Sequence, residues 1–118
     1  MLLAVLTDCK FMVAMKSIVN KTAFPITVTF YICGRVASEL DNFGTRRFSL
    51  APGQLADIAY GDVRHSFLAG IKLESDIHGM HVEQKQMVVD TDNDFDHYLN
   101  SSRVLTIRDI NLPLMEAV

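Results

Sequence analysis

The sequence predicts an all-β fold, a single-domain antiparallel β-sandwich of about seven strands over residues 1–118, with a small barrel as the second choice. Three observations predict it. In Pro25-Ile26-Thr27-Val28-Thr29-Phe30-Tyr31-Ile32, strict alternation sets Ile26, Val28, Phe30 and Ile32 on one face of a strand and Thr27, Thr29 and Tyr31 on the other. Such a strand belongs to an antiparallel sheet with one buried and one wetted face. Similar short runs recur along the chain, separated by turn-forming residues. Finally, 118 residues suffice for one core without disulfides or a structural metal.

Residues 11–19 are β-prone but apolar on both parities, with Phe11, Val13 and Met15 on one and Met12, Ala14 and Ile18 on the other. This predicts a strand that is buried on both faces or lies in a subunit contact. Asn20-Lys21-Thr22 supplies a turn. The alternating strand then runs through Cys33, on its polar parity, and ends at Gly34; residues 38–44 read as a polar loop around Asp41-Asn42. Residues 47–50 enter a hairpin through Ala51-Pro52-Gly53-Gln54, where Pro52 presets the turn and Gly53 accepts the positive φ of a type II turn. Ala56, Ile58 and Tyr60 form the return strand.

After Gly61-Asp62, the residues Ala69, Ile71 and Leu73 point one way and Lys72 and Glu74 the other. Residues 75–79 turn the chain into a strand over 80–89, whose polar stretch Glu83-Gln84-Lys85-Gln86 belongs at a sheet edge. A single helical turn over 95–100 docks Tyr98 and Leu99 on the core. The last strand, 103–110, faces Leu105 and Ile107 inward and Thr106 and Arg108 outward.

Composition narrows function by exclusion. A formal charge of −3 and a pI near 5.7 offer none of the clustered basic charge that nucleic acid requires. The apolar start Met1-Leu2-Leu3-Ala4-Val5-Leu6 lacks a basic flank and is broken by Asp8 and Lys10, so it does not read as a signal peptide. No run is long enough for a membrane span. Cytoplasmic residence is the expectation. Met15-Lys16 offers an alternative start, which would make residues 1–14 an N-terminal extension. Cys9 and Cys33 stand in no metal-binding or redox spacing.

No residue pattern names a reaction, and the expectation is not an enzyme. Ser49, Ser66 and Ser75 lack a nucleophile elbow. His78, His81 and His97 lack a third ligand or a glutamate base at zinc spacing. Asp57 near Tyr60, or Glu74 near Glu83, could be imagined as acid/base pairs but read as ordinary carboxylates on exposed strand faces, and Arg46-Arg47 reads as a solvated strand entry. Asn20-Lys21-Thr22 and Asn100-Ser101-Ser102 match the glycan acceptor pattern, which matters only in a secretory route.

The dense carboxylate run is Asp90-Thr91-Asp92-Asn93-Asp94-Phe95-Asp96. Its oxygens suit Ca²⁺, but Phe95 stands where an EF-hand needs glycine and Ser101 where it needs a bidentate Glu. Thr91-Asp92-Asn93-Asp94-Phe95 resembles the paired-calcium loop of small fucose-binding bacterial lectins, which are sandwiches of similar length, although the chain lacks that family's glycine-rich ending. Asp90 and Asp92 are also similar to the acidic loops of C2 domains, whose later carboxylates have no match here. The lectin resemblance implies calcium held by Asp90, Asp92, Asp94 and Asp96, with Asn93 alongside, and a carbohydrate ligand.

Hydrophobic residues make up 49 % of the chain and the mean hydropathy is +0.19, apolar for a domain with so little interior. Both ends contribute. Phe11, Met12, Val13 and Met15 at one and Leu114 and Met115 at the other supply apolar surface beyond what one sandwich core can absorb. The function expected is therefore a non-catalytic binding or structural module without a cofactor, self-associating as a homo-oligomer through those residues and taking a protein or carbohydrate ligand. The alternative is a calcium-dependent carbohydrate-binding module built on the acidic loop.

Overall fold

The structure, a computed structural model, describes residues 14–36, 39–61, 65–89 and 93–110, with side chains left out for 35, 36 and 39–43. Within these residues the elements run β1 (Ala14–Asn20), β2 (Ile26–Val36), β3 (Glu39–Leu50), β4 (Leu55–Tyr60), β5 (Phe67–Ile77), β6 (Met80–Met87), α1 (Asp94–Ser101) and β7 (Val104–Ile107). The strands form two packed sheets, one of order β4-β1-β7 and one of order β3-β2-β5-β6. The fold is the all-β, sandwich-like architecture that the alternation predicts.

β2 is the middle of the core. Ile26, Val28 and Phe30 are buried to the last few per cent, and β3 and β5 pair antiparallel on either side. Phe30 meets Phe48 of β3 edge-on at 5.1 Å between ring centroids and Tyr60 of β4 at 5.5 Å. The second contact joins the two sheets. Ile18 of β1 and Leu105 and Ile107 of β7 close the core from the smaller sheet.

Four expectations are corrected. The turn at Ala51-Pro52-Gly53-Gln54 forms, with Gly53 at φ +80° and the Gln54 N–H donating to the Ala51 carbonyl at 3.0 Å. It is a corner rather than a hairpin, because β4 leaves β3 and pairs with β1 in the other sheet. Residues 39–44 of the expected polar loop are strand instead: β2 continues to Val36 and β3 begins at Glu39, with residues 39–42 in the ladder. β3 is the edge strand of its sheet, where polar residues guard against further pairing. β7 runs parallel to β1, pairing Ser17 with Val104 and Asn20 with Ile107, so the sandwich is not wholly antiparallel.

Cys33 is buried, not on the wet face. The ladder to β3 shifts register between Ile32 and Cys33, and the ladder to β5 shifts between Tyr31 and Ile32. A bulge changes which face the next side chain takes, so parity counted from Ile26 holds through Ile32 and fails at Cys33.

The β5–β6 hairpin is tighter than the expected 75–79 turn. Only His78 and Gly79 form the loop, at φ +51° and +80°, the signs of a type I′ turn. β6 is an edge strand, as its polarity predicts. The expected helical turn is a two-turn helix, α1, capped by Asn93, whose side-chain oxygen accepts from the Asp96 N–H at 2.8 Å. Phe95 and Leu99, four apart, share its buried face.

β1 inverts the usual arrangement. Its inward parity carries Lys16, Ile18 and Asn20, and both polar residues are satisfied there. Lys16 Nζ donates to the Ser102 carbonyl at 2.9 Å, and burial pulls its pKa below the ordinary value. Asn20 Nδ2 donates to the carbonyls of Phe24 (2.7 Å), Leu50 (3.1 Å) and Ala51 (3.3 Å), while Oδ1 accepts from the backbone N–H and hydroxyl of Thr22. Asn100 is committed in the same way: Oδ1 accepts from the Leu68 N–H at 2.7 Å and Nδ2 donates to the Leu68 carbonyl and Asp96. Both matches to the glycan acceptor pattern are therefore structural asparagines, with their amide nitrogens engaged inside the fold.

Two stability predictions follow from this packing. Asn20→Ala orphans several buried backbone groups at once and should cost about 3 kcal/mol in urea unfolding, a large share of a small domain's stability. Tyr60 is held neutral by burial, and secondarily by the charge of Cys33, with its pKa raised from 10.0 to about 12. In the unfolded chain the phenol ionises near 10, so the fold keeps its proton longer and loses stability as pH rises from 10 toward 12. Absorbance at the phenolate band should show one late-titrating tyrosine, which Tyr60→Phe removes.

Candidate functional site

The outer face of the larger sheet is charged by construction. On β5 and β6 the outward parity carries Lys72, Glu74 and Asp76 against His81, Glu83 and Lys85, and the two-residue loop sets their register. Asp76 lies opposite His81, Glu74 opposite Glu83 and Lys72 opposite Lys85. Like charges directly opposite repel, and here neighbouring groups of opposite charge on β3 and along β5 offset them. Glu74 Oε1 lies 3.6 Å from Arg47 and 3.9 Å from Lys72, and Lys85 Nζ sits 4.9 Å over the Tyr31 ring.

His81 is the hub of the acidic end. Its Nε2 lies 3.6 Å from Glu74 Oε2 and 3.8 Å from Glu83, and its Nδ1 3.1 Å from Asp76 Oδ1. Ligating atoms of Glu74, His81 and Glu83 all fall within 4.8 Å of one another. Beside them a groove of about 300 Å³ is lined by Pro25, Thr27, Arg47, Glu74, Asp76 and His81. The Glu74–Glu83 pair considered from the sequence is thus real, and His81 joins it. Residue spacing alone did not link the histidine to either glutamate. The signal that would have done so is His78-Gly79 read as a two-residue loop, which pairs 74 with 83 and 76 with 81.

The outer face of the smaller sheet is different in kind. Met15, Leu55 and Val104 are 60 %, 61 % and 46 % exposed, one on each strand. Met15 lies opposite exposed Ala59, Val19 opposite Leu55, and Ser17 opposite both Asp57 and Val104. One polar pair crosses this apolar belt, the Ser17 hydroxyl donating to Asp57. A depression of about 340 Å³ beside it is lined by Met15, Ser17, Asp57, Arg103 and Val104, with Lys16 beneath. Met15 is the expected interface residue that the structure describes. Phe11, Met12, Val13, Leu114 and Met115 lie outside the described residues.

The acidic run is only partly within view. Asp90 and Asp92 lie outside the described residues. Asn93 caps α1, Asp94 is exposed on its first turn, and Asp96 is buried, accepting from Asn100 at 2.9 Å. Residues two apart on a helix do not face each other, so Asp94 and Asp96 point to different surroundings. Asp57 and Tyr60, three apart on β4, take opposite faces of the sheet. Ser75 donates to the Pro25 carbonyl at 2.7 Å, and the Ser49 hydroxyl lies 3.2 Å from that of Thr27. His78 sits in the hairpin loop, edge-on to Phe24 at 5.7 Å, and His97 is exposed on α1.

Among the described residues no helix is long and apolar enough to cross a membrane. The chain matches no protein-family model, no curated protein and no solved structure in comparisons with each.

Proposed function

We propose that this chain is a non-catalytic β-sandwich module that assembles with copies of itself through the outer face of β4-β1-β7. The observation that carries the reading is the contrast between the two outer faces. A wetted sheet face is ordinarily polar, as that of β3-β2-β5-β6 is; the smaller sheet instead exposes Met15, Leu55, Ala59 and Val104 around one hydrogen-bonded pair. Burying such a face removes apolar area from water at roughly 25 cal/mol per Å². Methionine suits the contact because its flexible thioether fills irregular gaps.

Size sets a condition on this reading. Three strands ~4.8 Å apart and six residues at ~3.3 Å each make a footprint of roughly 300 Å². A standard interface needs ~800 Å² from each partner. The reading therefore needs further apolar surface, for which the sequence offers Phe11, Met12 and Val13 before β1 and Leu114 and Met115 after β7. The partner in this reading is a second copy, since a two-fold contact sets the same apolar patch of Met15, Leu55, Ala59 and Val104 against itself.

Light scattering at micromolar concentration should give a mass that is a multiple of 13.2 kDa. Met15→Asp with Val104→Asp should return a folded species of single-chain mass, since both side chains are exposed and neither holds the core together. A wild-type chain that is already a monomer removes the proposal. Repeating the measurement with calcium and with chelator separates the alternative: a mass or melting temperature that changes with calcium would move the function to the acidic loop and a carbohydrate ligand.

A further inference from the structure

We propose that Glu74, His81 and Glu83 form a divalent transition-metal site, best suited to Zn²⁺, on the outer face of the β5–β6 hairpin. Two independent geometric facts carry this. The first is the donor set: one imidazole nitrogen and two carboxylate oxygens, mutually within 4.8 Å. Donors around a tetrahedral zinc with bonds of ~2.0–2.2 Å lie roughly 3.3–3.5 Å apart. The observed His81–Glu74 and His81–Glu83 separations of 3.6 and 3.8 Å are within a small side-chain adjustment of that spacing. The site lies on a rigid frame, since the two-residue loop fixes the register that pairs Glu74 with Glu83.

The second fact is the orientation of the imidazole. His81 Nδ1 lies 3.1 Å from Asp76 Oδ1, which holds the ring with its Nε2 edge toward Glu74 and Glu83. A carboxylate holding the far nitrogen of a metal-bound histidine is the usual support of a zinc ligand. Two carboxylates converge on the Nε2 edge of the ring, so the three donors face one point between them.

The chemistry of the donors selects the ion. Calcium takes six to eight oxygens and magnesium prefers octahedral oxygen with retained water, whereas an imidazole with two carboxylates suits zinc. Glu74 divides its oxygens: Oε1 faces Arg47 and Lys72, and Oε2 is left for the metal. The fourth position opens toward the groove lined by Thr27 and Arg47, where a water or an anionic group of a ligand could complete the coordination.

The test is zinc titration of the untagged chain by calorimetry, with the melting temperature followed in parallel. The expected result is one equivalent bound per chain at micromolar free zinc, with a rise in melting temperature. His81→Gln and Glu83→Gln should each weaken uptake at least ~10-fold, and Asp76→Asn by roughly 10-fold through loss of orientation alone. All three positions are exposed, so the zinc-free variants should melt where the wild type does. Absence of uptake by the wild type, or uptake that His81→Gln leaves within a few-fold of the wild type, overturns the assignment. Calcium or magnesium at the same concentration should produce neither signal.

Discussion

The corner around Asn20 holds the two sheets in relation to each other. Asn20 ends β1, and its main chain exchanges hydrogen bonds with the β3–β4 corner: its N–H donates to the Gln54 carbonyl at 2.9 Å and its carbonyl accepts from Gly53 at 2.7 Å. Its side chain ties the connection into β2 to the end of β3, and the next residue, Lys21, donates to the Ile107 carbonyl of β7 at 2.8 Å. The end of β1, the entry to β2 and the end of β3 therefore meet at one buried amide, and the adjoining main chain ties in β4 and β7. Satisfied inside the fold, such a network specifies a single arrangement; partly satisfied, it would be worse than an apolar core. These bonds hold the corner through which β4 leaves β3 and joins β1 in the other sheet.

The bulges near Tyr31 are the second geometric constraint. They let β2 serve as the centre of a sheet over its first half and still bury Ile32 and Cys33 in succession. Close packing at that end leaves little room on the neighbouring strand: a Cβ at Gly70 would fall 2.8 Å from the Gln86 carbonyl and nearer still to Met87. A residue without a side chain is what allows β6 to lie against β5 there. The edge-on contact of Phe30 and Tyr60 then joins the layers, and the surroundings that exclude water from it keep the phenol neutral.

The two outer faces have separate chemistries, for separate reasons. On the larger sheet, a tight loop turns two alternating charged strands into a lattice of fixed partners, with oppositely charged groups as neighbours and a histidine between carboxylates. On the smaller sheet, inward-facing Lys16 and Asn20 take up polar capacity that a surface strand normally shows to water, and Met15 is left outside. The proposed ion site and the proposed assembly surface occupy opposite layers and share no residue.

Alternation determined most of what was local. The buried faces of β2, β5 and β7, the amphipathic 95–100 segment and the edge character of β6 all follow from side-chain periodicity, which acts between residues a few positions apart. What alternation cannot specify is the partner of each strand, because pairing depends on register between distant residues and on bulges that reset parity. So β4 crossing to β1, β7 running parallel, residues 39–42 joining a ladder and Cys33 turning inward were decided by tertiary structure. The same reason placed His81 among Glu74, Glu83 and Asp76: each residue was legible in the chain, but only the folded hairpin brought their side chains to one point.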